Sequence, residues 1–184
     1  MQGPTEVLVG YATAAGSTRG VAERIAAGLM AAGVPVTCRP LAPDLRPDDF
    51  AAWVVGSAVH QMAWLPAAVE FLQRAAGQRL RPCWAFSVGG LAPTNPVRRW
   101  LGDQEVQRIQ RGFPGGLPVR DHHLFAGVVR TEGIGPAGRF FWRVVGGRPG
   151  DQRDWAAIDR WASEVSAGLT AGPTEGEPDE SAHR

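Results

Sequence analysis

The sequence predicts an α/β protein: a doubly wound five-stranded parallel sheet, strand order 2-1-3-4-5, with helices on both faces. Three observations lead there. Short apolar runs alternate along the chain with segments whose apolar residues recur at helical spacing. The runs are apolar on both faces, as in Ala51-Ala52-Trp53-Val54-Val55, which is what a strand buried between two helical layers requires. At 184 residues without an internal repeat, the chain suits one domain.

The elements follow in order. Residues 6–12 form the first strand. Residues 18–32 form the first helix, with Val21, Ala22, Ile25, Ala26 and Leu29 on one face, and Gly33 ends it. A short second strand at 34–39 lies near an edge, and Pro40, Pro43 and Pro47 make the next segment a loop. Strand three spans 51–57 and is followed by a loop at 58–64. Pro66 opens a helix at the position proline tolerates best, and Val69, Leu72, Ala75 and Ala76 form its inner face. Strand four is 82–88, its loop 89–96. Residues 97–111 are polar and helical, anchored by Trp100, Leu101 and Ile109; a turn-rich insert at 112–118 leads to strand five at 122–129. A glycine-rich insert with Phe140, Phe141 and Trp142 follows. Trp155, Ile158, Trp161, Ala162, Val165 and Leu169 then mark a closing helix. The domain is read as residues 1–170, with 171–184 an acidic tail too poor in apolar residues to bury a core.

Net charge is +1, unevenly spread. Glu175, Glu177, Asp179 and Glu180 lie in the tail, so the body has 18 bases against 14 acids. Every base is arginine, and most fall after the middle of the chain. Such a surface favours anionic partners: carboxylates, phosphates or lipid heads. Cys38 and Cys83 fall in strands without Cys-x-x-Cys spacing, which reads as reduced core thiols in a cytoplasmic protein. No apolar run is long enough to cross a bilayer, and no signal peptide is expected.

In a sheet of this order, ligands bind beyond the carboxyl ends of strands one, three and four. Those ends carry the loops at 13–18, 57–64 and 87–96. In the first, Thr13-Ala14-Ala15-Gly16-Ser17-Thr18 places free N–H groups and hydroxyls at a helix N-terminus, where the helix dipole adds to an anion site. It has neither the lysine of an ATPase phosphate loop nor a Gly-x-Gly-x-x-Gly fingerprint. The plainer reading is an ordinary turn with Ser17 or Thr18 as helix cap. The pattern Tyr11, Thr13, Gly16, Thr18, Ala22 resembles the flavodoxin signature, in which hydroxyls and amides hold the phosphate of FMN without a positive side chain. Gly10 departs from it, standing where a larger apolar residue is usual. Glu23 departs too, and the Ala22-Glu23 pair is similar to the menaquinone-dependent protoporphyrinogen oxidase branch. That branch also has an aromatic-basic segment ending in Gly-Gly, matched by residues 139–147, then Asp-Trp opening the last helix, matched by Asp154-Trp155. The resemblance covers residues 6–169.

The resemblance implies a flavodoxin-like fold with FMN as cofactor. In the second loop, backbone groups around Ser57, Ala58 and Val59 meet the flavin; Trp64 and His60 either stack on its ring or, respectively, pack on the core and stand in solvent. In the third, Ser87, Val88, Gly89 and Gly90 bring backbone to the ring, and Thr94 and Asn95 bond its pyrimidine edge or are turn formers. Residues 139–147 rest on a membrane surface or hydrophobic substrate, or pack on the sheet. The expected function is electron transfer from a reduced organic substrate through FMN to a quinone or other acceptor, with no side chain assigned to catalysis and no metal. Partners are that small molecule or a redox protein, without nucleic acid and with peripheral contact at the inner face of a membrane. Two rivals remain: an FMN shuttle without its own substrate, and a flavodoxin-shaped interaction domain lacking FMN.

Overall fold

The computed structural model describes residues 3–78, 81–89, 96–129 and 150–171, without the side chains of 96–101 and 129. Strands β1 (Val7–Ala12), β2 (Val36–Pro40), β3 (Ala52–His60), β5 (Cys83–Gly89) and β6 (Val119–Ala126) form a parallel sheet in the order β2-β1-β3-β5-β6. A two-residue strand β4 (Ala63–Trp64) pairs antiparallel with the end of β3, and β7 (Val128–Val129) pairs with β8 (Gly150–Asp151) in a separate small ladder. Counting the long strands alone, this is the order expected. The region read as the loop 58–64 is a β-hairpin, because β3 continues to His60 before turning back.

Alternation along the strands divides the core in two. Val7, Val9 and Tyr11 of β1, Val54 of β3 and Trp84, Phe86 and Val88 of β5 face α1 (Ser17–Ala31) and the closing helix α4 (Trp155–Thr170). Leu8, Trp53, Val55, Cys83 and Ala85 face α2 (Pro66–Ala76) and the end of α3 (Pro96–Arg111). The α1 stripe is buried as its spacing predicts: Val21, Ala22, Ile25, Ala26 and Leu29 are at most 1% exposed. The inner face of α2 is turned from the expected one and consists of Ala68, Phe71, Leu72 and Ala75. Phe71 sets it, meeting Trp53 edge to face at 6.3 Å. In α4, Ile158, Trp161, Ala162 and Val165 are buried, whereas Trp155 is 38% exposed beneath the Arg153 guanidinium.

Two strand glycines answer to packing. Leu41 and Leu8 occupy the space a side chain at Gly10 would need, which accounts for its departure from the signature. The Phe86 ring lies against Gly56 across the β3–β5 pair. Both cysteines are free; burial pushes the Cys38 thiol up to about 11 and the Cys83 thiol up to about 12. Among the described residues no helix is long and apolar enough to cross a membrane.

Candidate functional site: the loops beyond the sheet

The loop after β1 is shaped by its own hydroxyl. The Gly16 N–H donates to Thr13 Oγ1 at 2.9 Å, closing the turn. Gly16 has φ 88°, a left-handed conformation that a residue with a Cβ adopts at a cost. It stands at the N-cap of α1 and offers no side-chain cap, so neither Ser17 nor Thr18 is the cap. The first-turn N–H groups of α1 therefore point out of the helix without an acceptor from it. Ala14 and Ala15 keep the loop crest low and exposed.

Thr18 is the decisive residue. It is fully buried, and its Oγ1 has no hydrogen-bond partner among the described residues. An unmade hydrogen bond of this kind costs about 1–3 kcal/mol. Thr13 accepts through its oxygen and retains its hydroxyl proton for donation. The loop thus presents main-chain donors, hydroxyl protons and the dipole of a 15-residue helix in one place.

The loop after β3 is built differently. Ser57 is buried; its Oγ donates to the Ala58 carbonyl at 2.9 Å and accepts the Leu65 N–H at 2.9 Å. Trp64 is 6% exposed, donates its indole N–H to Ser87 Oγ at 2.7 Å, and packs on Phe113 at 4.8 Å. Ser87 Oγ also lies 2.8 Å from His122 Nε2. The side chains of three expected site residues, Ser57 and Ser87, read as backbone contributors, and Trp64, read as a side-chain candidate, are therefore engaged with one another's elements on the α2/α3 side. The reason is strand alternation, which puts Ser57 and Ser87 on the face of Val55 and Ala85. Of the two readings of Trp64, the structure has the side chain packed on the core. Val88 points the other way, into the α1/α4 core, and Val59 packs partly against the α2/α3 core.

The hairpin tip is open. His60 is exposed, and Gln61 and Met62 both have positive φ, 51° and 62°. Two such residues in a row make the tight turn that matches strand twist, normally the place of Asn-Gly. Met62 is 42% exposed there. Gly89 ends β5. Its neighbours in the third loop, Gly90, Thr94 and Asn95, lie outside the described residues, as do the 139–147 segment and the acidic tail.

Two contributors escaped the sequence reading. Gly127, just after β6, donates its N–H to the Gly89 carbonyl at 2.6 Å. A Cβ there would stand 2.9 Å from that oxygen and 3.6 Å from Ser17 Oγ, so Gly127 lets the ends of β5 and β6 close beside the first loop. Its position beyond a strand's carboxyl end was the available signal. Glu105 on α3 lies beside Gly89, with its carboxyl oxygens 3.8 Å from where a Gly89 Cβ would be. An acid among the many polar residues of α3 gave no signal for it.

With this geometry in place, the comparisons fall into line. A family model for the flavodoxin domain matches residues 8–154, and the chain belongs to that family. No curated protein sequence matches it. Among solved structures, it is similar to rubredoxin oxygen:oxidoreductase from Desulfovibrio gigas, at 19% identity and TM-score 0.55 over 92% of this chain and 37% of that one. It is also similar to a mutant flavodoxin from Pseudomonas aeruginosa, at 14% identity and TM-score 0.55 over 90% of this chain and 99% of that one. A flavodoxin from Streptococcus pneumoniae gives 12% identity and TM-score 0.54, over 89% and 99%. The chain thus spans little more than a third of the oxidoreductase and nearly the whole of the flavodoxins. At these identities the likeness is one of fold. FMN is the cofactor of the flavodoxin family, and the orphaned hydroxyl of Thr18 fits its phosphate.

Proposed function

We propose that this chain is an FMN-dependent electron-transfer protein that holds the phosphate of the cofactor in the loop 13–18. The observation that carries the reading is the buried, unpartnered Oγ1 of Thr18 under a helix N-terminus. A phosphate oxygen would satisfy that hydroxyl, and Ser17 and Thr13 would add theirs. Arg19 is exposed and drawn to Glu23 at 3.5 Å, so binding rests on neutral donors and the helix dipole. When bound, FMN supplies one- and two-electron chemistry at its ring. The chain's part is to bind, to orient, and to set the polarity beside Gly89 and the hairpin tip.

The finer reading is oxidation of a protoporphyrinogen-type substrate with a quinone as acceptor. It is supported by Ala22-Glu23, Asp154-Trp155 and a body whose bases are all arginine, suited to propionate carboxylates. Electrons would reach a quinone or a partner redox protein, with contact at a membrane surface through residues 139–147. A visible spectrum with and without added FMN tests the first reading: yellow absorbance with a defined stoichiometry is expected, and a protein that stays colourless refutes it. An assay of protoporphyrinogen oxidation with a menaquinone analogue then tests the second. Flavin reduced only by redox proteins would leave a carrier without its own substrate.

A further inference from the structure

A pocket of about 100 Å³ lies between the β3–β4 hairpin, α2 and the end of α3. Its walls are apolar. Trp64 and Ile109 are buried, Phe113 is half-buried and packs on Trp64 at 4.8 Å, and Met62 stands exposed at the rim. The Trp64 ring is held in place by its indole N–H, which donates to Ser87 Oγ at 2.7 Å. Met62 is held by the turn, where it and Gln61 both take left-handed backbone that residues with a Cβ adopt at a cost. Costs of this kind collect at ligand clamps as well as at tight turns.

Arg108 is the one charged residue of the lining. Its side chain is exposed and makes no ion pair or hydrogen bond among the described residues. Glu105, one turn earlier on α3, is turned toward Gly89. Residues 90–101, which lead into α3 and begin it, contain no acid. Arg108 lies in the last turn of the helix, where a cation complements the dipole, but Arg111 stands nearer that end.

A guanidinium fork at the mouth of a small apolar pocket selects an anion that carries an apolar chain. The fork matches the two oxygens of a carboxylate, and the walls reward the chain. The space equals that of about three water molecules, so the chain is short. A phosphate ion has more charge to desolvate and gains nothing from aromatic walls.

We propose that this pocket binds a short-chain monocarboxylate, its carboxylate on Arg108 and its chain against Trp64, Phe113 and Met62. The site is separate from the loop 13–18, and the proposal does not rest on the cofactor reading.

The test is a titration of the full chain with sodium acetate, propionate, butyrate and hexanoate at constant ionic strength, read from the NMR signal of the Trp64 indole N–H. Butyrate is expected to shift that signal saturably. Affinity should rise about three- to fourfold per methylene from acetate to butyrate and level off at hexanoate, when the pocket is full. Butyramide, which has the same shape without the charge, and inorganic phosphate should bind roughly tenfold more weakly or less. Arg108→Gln should weaken butyrate about tenfold with little change in thermal midpoint, because the residue is exposed. A residue serving only the helix end would leave butyrate affinity unchanged in that variant, and such a result overturns the proposal. So does the absence of a saturable shift in wild type, or equal binding of butyrate and butyramide. Phosphate binding as tight as butyrate would reduce Arg108 to an unselective cation and overturn the assigned ligand class.

Discussion

The first and second loops stand at the ends of adjacent strands, β1 and β3, and both carry small polar residues. In the first, Thr18 Oγ1 is buried with nothing to bond and Gly16 holds a left-handed turn without capping the helix. In the second, Ser57 donates and accepts, and the Trp64 indole is bonded to Ser87. One loop keeps its hydrogen-bonding capacity unspent, while the other has consumed its own to fix a hairpin. Buried polar groups in folded proteins are nearly always paired, so the unspent hydroxyl supports the phosphate site proposed above, and the spent ones belong to the architecture.

That contrast can be broken at either end. Trp64→Ala should cause the largest loss of stability, about 3–5 kcal/mol, because it removes a buried aromatic and strips Ser87 of a donor. Urea denaturation measures it, and a loss below about 1 kcal/mol would show that the ring is not the core element described. Thr18→Val should do the reverse. It replaces an orphaned hydroxyl with a methyl of the same shape, so stability should hold or rise, while FMN affinity falls by about 10- to 100-fold through loss of a charge-assisted bond. Fluorescence titration with FMN reads the affinity; an unchanged value removes the basis for the phosphate site.

A third prediction uses pH. Burial lowers His122 from 6.5 to about 4, against a smaller opposing pull from Asp121. The unfolded chain therefore binds a proton at this residue over a range where the folded chain does not. The contribution is fully present above pH 6.5 and is lost as pH falls from there toward 4, on the order of 1–3 kcal/mol. His122→Gln should flatten that part of the stability profile, as urea midpoints between pH 7 and 4.5 would show. The smallest effect is expected at Arg24, whose guanidinium bonds Asp159 at 2.6 and 2.7 Å on an open surface. Arg24→Ala should leave the thermal midpoint close to wild type, because exposed pairs gain little.

The parts legible in the sequence were those governed by local periodicity. The α1 stripe repeats at helical spacing from Val21 to Leu29, and every residue the spacing names is buried, with Thr18 beside them. The parallel order followed from strands apolar on both faces. The loop 13–18 could be read because N–H groups at a helix start are fixed by chain geometry alone, whatever packs nearby. The α2 face was displaced because two apolar sets, beginning at Ala68 or at Val69, fit its short helix, and contact of Phe71 with Trp53 selects between them. The hairpin at Gln61-Met62 was hidden because neither residue announces a turn with positive φ.

By itself, then, the sequence determined the class of sheet, the helix that follows its first strand and the chemistry offered there, since each depends on neighbours within a few residues. Tertiary structure alone decided which hydroxyls remain unspent. Ser57, Ser87 and Thr18 look alike along the chain, and their fates diverge only when Leu65, Trp64 and His122 arrive from distant positions to bond two of them and leave the third bare.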